Sequence, residues 1–152
     1  MQLFTLDFED DYALIGIHST EEDYRLAYLL NKHLNTRFKR FKNNLDFSNS
    51  EAEYPLFDYK DKRNYINYYF INNKYTKQVK DQTNPGLFGG NYSTVEYLIP
   101  EKNKIDFFLK IEGSNDETFA RTLVDKLNNI NQIITSFTID PNNLKSKNNL
   151  IF

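Results

Sequence analysis

Few side chains in this sequence could do chemistry, and their spacing limits which kind. The chain has 2 histidines and no cysteine. A zinc site would therefore need His18, His33 and carboxylates together, and no HxxxH or similar pair occurs. Thiol nucleophiles and disulfides are excluded outright. Ser19 adjoins His18, but neighbours on an extended chain point to opposite faces, and there is no GxSxG elbow. Ser19 reads more simply as a helix cap, with Glu22 three residues on completing a capping box. The stretch "NPGLFGGN" matches no phosphate-binding pattern and no helix pattern follows it. It reads as a surface loop, with a ligand lid or docking point at Leu87-Phe88 as the alternative.

Charged side chains offer more. "TRFKRFK" interleaves Arg37, Lys39, Arg40 and Lys42 with aromatics, as single-strand binders do. The plainer reading is a strand alternating solvated cations with buried rings. Arg25 lies four residues after Glu21, which suits either an intrahelical ion pair or a ligand contact. In "YLIPEKNKIDFF", a turn centred on Lys102-Asn103 would set Glu101 opposite Lys104, Ile99 opposite Asp106 and Tyr97 opposite Phe108. Leu98, Phe107, Leu109 and Ile111 would then face a core. Tyr97, Asp106 and Lys110 would share the other, mixed face. Pro100, Glu101 and Asn103 follow from turn formation. Asp106 does not, because Asp is disfavoured within a strand. It is either structural or part of a site. Glu101 and Asp106 would point to different faces, so no acid–base pair is expected.

These residues need elements to hold them. "LFTLDF" alternates through Phe4, Leu6 and Phe8 as a half-buried strand, and "YALIGIH" is apolar on both faces, as a central strand is. Leu26, Ala27, Leu30, His33 and Leu34 recur at helical spacing, as do Phe119, Ala120, Leu123, Val124 and Leu127 after a second box at Ser114 and Glu117. Phe41, Leu45 and Phe47 fit one strand face, with Phe38 out of step. "YPLFDY" and "NYINYYFI" flank a turn as a long hairpin, and "QIITSFTID" reads as a last strand. Residues 72–93 read as the least structured part. Strands in hairpins and two helical stripes predict an α+β fold: a mostly antiparallel sheet with two helices on one face, a two-layer sandwich. Residues 1–141 form the single expected domain, and 142–152 a loose tail.

The 152 residues are 39% hydrophobic and 16% aromatic, enough for one buried core, and the net charge is −2. Any basic site is therefore local. The abundance of Asn and Lys reads as the codon bias of an AT-rich genome rather than as chemistry. No run approaches the length that spans a bilayer, and the first residues lack a secretory pattern, so a cytoplasmic protein is expected.

"DDYALIGIHSTEEDYRLAYLLNKHLNTRFKR" followed by "YLIPEKNKIDFFLKI" resembles the IPExxxVDY family of small Bacteroidota proteins. The motif falls on Ile99, Pro100, Glu101, Ile105, Asp106 and Phe107, with Ile for Val and Phe for Tyr. The resemblance implies a cytosolic bacterial protein and no particular activity.

The expectation is a non-catalytic binding or regulatory module for a protein or small-molecule partner, with no cofactor, no metal and no membrane. Homo-oligomerisation is compatible with the sequence. The candidate residues are Asp106, Tyr97, Lys110, Arg25, Arg37 and Arg40. The alternatives are nucleic-acid binding through residues 37–42 and the tyrosine strand 65–69, and an enzyme of unfamiliar type.

Overall fold

The doubly apolar run Tyr12–His18 forms a strand (β1) in the interior of a sheet. The structure, a computed structural model, describes residues 12–80, 91–114 and 116–152. The expectations for Phe4–Phe8 and for Asn84–Gly90 lie outside the described residues. After β1 come helix α1 (Asp23–Leu34) and short strands β2 (Lys39–Arg40), β3 (Leu45–Asp46) and β4 (Glu53–Tyr54). Longer strands follow: β5 (Leu56–Asp61), β6 (Ile66–Asn72), β7 (Lys74–Lys80), β8 (Asn91–Tyr97) and β9 (Phe107–Glu112). Helix α2 (Glu117–Asn128) and β10 (Thr135–Ile139) complete the order. The main sheet runs β10-β1-β9-β6-β5-β2, with every neighbouring pair antiparallel. This is the α+β architecture expected, and β5 and β6 form the expected hairpin. Among the described residues, no helix is long and apolar enough to cross a membrane.

Both sheet faces are buried. On one, Ile15, Ile17, Phe57, Phe70, Leu109 and Ile111 pack against Leu26 and Leu30 of α1 and Leu123 and Leu127 of α2. On the other, Leu14, Leu56, Ile71 and Phe108 are covered by irregular chain, through Ala52, Leu98, Ile99, Ile105, Leu144 and Leu150. The C-terminal segment is therefore no loose tail. Its residues Leu144 and Leu150 are buried, because an apolar sheet face without helices needs another cover.

The hairpin expected around Lys102-Asn103 does not form. β8 pairs with β7, setting Tyr97 opposite Lys74, while β9 lies between β1 and β6. Pro100–Lys102 is a single 3-10 turn. Fully buried Asn73 dictates this path. Its Oδ1 accepts from the Ile99 N–H at 2.8 Å, and its Nδ2 donates to the carbonyls of Lys102 at 2.9 Å and Ile105 at 2.8 Å. Its carbonyl also accepts from the Leu98 N–H. Residues 74–80 and 91–93, within the part read as least structured, thus belong to paired strands, 74–80 with 91–97.

Two smaller corrections share one cause, a polar side chain that captures backbone. Phe38 is core and Phe41 is exposed, the reverse of the expectation. Asn31 accepts from the Phe38 N–H at 2.6 Å and donates to its carbonyl at 3.0 Å, which turns Phe38 towards Tyr59, Tyr68 and Phe70. Neither capping box forms. α1 begins after Glu22, whose side chain makes no cap bond, and Asp116 caps α2 by accepting from Thr118 N–H. Ser19 instead accepts from Glu21 N–H and donates to the Gln132 carbonyl at 2.7 Å. His33 is exposed on α1, and Leu29 takes a place in the core.

Candidate functional site

Asp106 sits just before β9, where β1, the start of α1 and the loop ahead of β9 meet. Its Oδ2 accepts from the Ser19 N–H at 3.0 Å. Its own N–H donates to the Ile17 carbonyl, and its carbonyl accepts from the Asn73 N–H. His18 Nδ1 lies 3.8 Å from the same Oδ2, too far for a hydrogen bond. The Ser19 hydroxyl, spent on the Gln132 carbonyl, does not meet His18, so Ser19, His18 and Asp106 form no proton relay. The Asp106 side chain keeps 41% exposure and holds the Ser19 N–H, while its own backbone groups tie the segment to Ile17 and Asn73. Arg25 does not join it. Its Nε lies 3.1 Å from Glu21, the ion pair that the helical spacing predicted. Among the described residues, no three His, Cys, Asp or Glu side chains gather closely enough to hold a metal ion.

Lys110 is equally committed. It lies mid-strand on the face away from the helices and is only 4% exposed. Its Nζ donates to the Leu150 carbonyl at 2.6 Å and meets Glu112 Oε1 at 2.9 Å. The Tyr12 and Phe152 rings lie 4.7 Å and 4.5 Å away, and Tyr69 lies at 5.9 Å. Burial, then Glu112 and Asp58, raise the Tyr69 pKa and keep its hydroxyl neutral. This enclosed cation anchors the C-terminal segment and is closed to a ligand. Tyr97 remains part of the small β7–β8 sheet.

The remaining candidates do converge. Pairing of β2 with β5 at the sheet edge sets Lys39 opposite Asp58 and Arg40 opposite Phe57. Arg37, Lys39, Arg40 and Lys42 thereby join Lys60 and Lys62 around one open groove of about 820 Å³, completed by Phe41, Asp58 and Tyr59. The Arg40 guanidinium is steadied by the Leu56 carbonyl at 3.5 Å and by the Phe57 ring at 5.6 Å. Asp58 is only 4% exposed, and its Oδ1 has no hydrogen-bond partner among the described residues.

The tyrosines of strand 65–69 do not share this groove. Tyr68 faces inward against Phe38 and Tyr59, and burial, then Asp61 and Tyr59, push its pKa up to about 12. Tyr69 turns to the opposite face against Phe152, while Tyr65 stands 87% exposed at the hairpin turn. Phe41, 40% exposed, supplies the ring instead, because Tyr59 lies opposite Tyr68 and stacks on it at 5.4 Å. Asp58, Lys60 and Lys62 were missed by sequence reasoning. Their i, i+2, i+4 spacing was a signal, but the partner strand was not visible locally.

No protein-family model, no curated protein and no solved structure matches this chain, so the reading of the groove rests on its geometry.

Proposed function

We propose that the protein is a non-catalytic binding module that takes an anionic ligand in the groove at the β2 edge. One observation carries this reading: six cations line a single open groove in which, among the described residues, Asp58 is the only carboxylate. The chain as a whole carries a charge of −2, so this concentration of positive charge is local. Like charges held together repel, and an anion seated among them relieves that repulsion. The Asp106 and Lys110 clusters support the non-catalytic part, since their polar atoms are engaged with backbone and neighbouring side chains. With the same reading go a cytoplasmic bacterial setting and kinship with the IPExxxVDY family, both supported by the motif residues Ile99–Glu101 and Ile105–Phe107.

Thermal melting with added sodium tripolyphosphate tests the anion reading. The melting temperature should rise at low ionic strength, and the rise should vanish in about 0.5 M salt, where the Debye length falls to a few ångströms. A melting temperature indifferent to tripolyphosphate in low salt would remove the proposal.

A further inference from the structure

We infer that the anion this groove takes is an unpaired nucleic-acid strand, held by its phosphates on the cations, by a base on Phe41, and by a base or sugar donor on Asp58. The inference rests on the anion-binding reading and narrows it. Cations alone would suit any polyanion. Three further features do not.

First, the groove is open and large. Its volume of about 820 Å³ lies towards the upper end for a drug-sized ligand and far exceeds what a lone phosphate fills. An open channel at a sheet edge suits a chain that enters and leaves. Second, an exposed ring stands among the cations. Phe41 is 40% exposed beside Arg40 and Lys42, and the core gains little from it there. An exposed ring between phosphate-binding cations is a stacking platform, usable by any base with a free face. A duplex hides those faces, so its rings cannot be used.

The third feature is Asp58. A carboxylate in the lining of a pure phosphate site repels the ligand. This one also has an oxygen without a partner among the described residues, a costly arrangement in a side chain so little exposed. Asp58 lines the groove, so a donor that enters there can meet its carboxylate. Exocyclic amines, ring N–H groups and ribose hydroxyls are such donors, and polyphosphate has none at neutral pH. Asp58 would therefore distinguish a nucleotide chain from a simpler polyanion. An acidic protein segment would use the cations but would lack planar faces for Phe41.

Fluorescence anisotropy with a labelled mixed-sequence 10-nucleotide RNA decides the matter. The same sequence as DNA, its duplex, and inorganic polyphosphate of matched charge serve as competitors. The single strand should bind with a log–log salt slope between about −3 and −4, below the roughly −4 that full use of six cations would give. The duplex and the polyphosphate should compete at least tenfold more weakly. Phe41→Ala, at an exposed position, should lower single-strand affinity at least fivefold and leave polyphosphate binding unchanged. Asp58→Asn should strengthen polyphosphate binding while reducing the protein's preference among homopolymeric RNAs. If polyphosphate competes as well as the single strand and Phe41→Ala changes neither, this inference is wrong and the anion reading survives. If neither polyanion binds at 50 mM salt, both fall.

Discussion

Asn128 and Ser136 bond to each other as two strands would. The Ser136 N–H donates to Asn128 Oδ1 at 2.7 Å, and the Asn128 amide donates back to the Ser136 carbonyl at 3.4 Å. β10 is an edge strand of the main sheet, so these backbone groups face away from β1. The last residue of α2 stands where a further strand would lie. Asn31 does the same for Phe38 ahead of the opposite edge strand, β2. Each helix thus blunts one edge of the sheet with an amide side chain, a way of discouraging edge-to-edge association.

Asn128→Ala should therefore have two effects. Ser136 is buried, so its N–H and carbonyl would lose their partner where water scarcely reaches. The expected loss is about 1–3 kcal/mol. The bared edge should also promote self-association. Urea unfolding and sedimentation velocity over a range of concentrations measure the two effects separately. An unchanged midpoint together with unchanged sedimentation would show that the amide pairing is incidental.

Asn73 should tolerate even less. Alanine there leaves the Ile99 N–H and the Lys102 and Ile105 carbonyls without partners in the interior, which predicts a loss of about 3 kcal/mol or more. Aspartate keeps the acceptor for Ile99 but turns the two-donor nitrogen into an oxygen facing two carbonyls. Asn73→Asp should thus be at least as damaging as alanine at pH 7. It should recover in part on acidification, when the carboxyl regains a proton to donate. Urea midpoints of both variants at pH 7 and pH 5 check this. An aspartate variant as stable as wild type at pH 7 would contradict the assigned bonding.

These asparagines also mark where the sequence stopped being legible. β1, the β5–β6 hairpin, both helices and the gathering of cations at 37–42 follow from patterns a few residues long. The fate of 97–108 does not. Local spacing favours a hairpin there, but Asn73, bonding to residues 26 to 32 positions away, draws that segment into an irregular cover. A high Asn content looks like compositional bias until the partners of Asn31, Asn73 and Asn128 are seen. The groove was half legible for a similar reason. Arg37 to Lys42 are contiguous, whereas Asp58, Lys60 and Lys62 join them only because β2 pairs with β5.

For Asp106, the hydrogen bond from Ser19 N–H predicts that the acceptor matters more than the charge. Asp106→Ala should cost about 1–2 kcal/mol, at the lower end for a bond to a charged group because the side chain is partly exposed. Asp106→Asn keeps an oxygen for Ser19 and should cost less than half of that. Urea midpoints at one pH compare the pair. If asparagine proves as costly as alanine, the charge itself is required and the 3.8 Å approach of His18 becomes the place to look.

Glu101, within the 3-10 turn, gives a second prediction on the acid side. Burial opposes its ionisation. Its own N–H, the Ser146 N–H and hydroxyl, and the Lys145 N–H outweigh burial and hold its pKa below the usual carboxylate value. The two Ser146 bonds, 2.7 Å and 2.8 Å long, pin the C-terminal segment whose Leu144 and Leu150 cover the sheet. A depressed folded-state pKa adds stability that is present above the unfolded value and is lost as pH falls through the folded one. Wild type should therefore exceed Glu101→Gln in stability at pH 7. The gap should close once the pH drops below the ordinary carboxylate range and through the depressed pKa. Since Glu101 is largely exposed, the gap should be small, about 1 kcal/mol or less. Its location is the sharper test: amides of residues 144–151 should exchange faster in the glutamine variant at pH 7 and at the wild-type rate near pH 3. Equal exchange at pH 7 would mean that Glu101 is dispensable and that the other ties, among them Lys110 to the Leu150 carbonyl and Asn149 to the Leu98 carbonyl, hold the segment down.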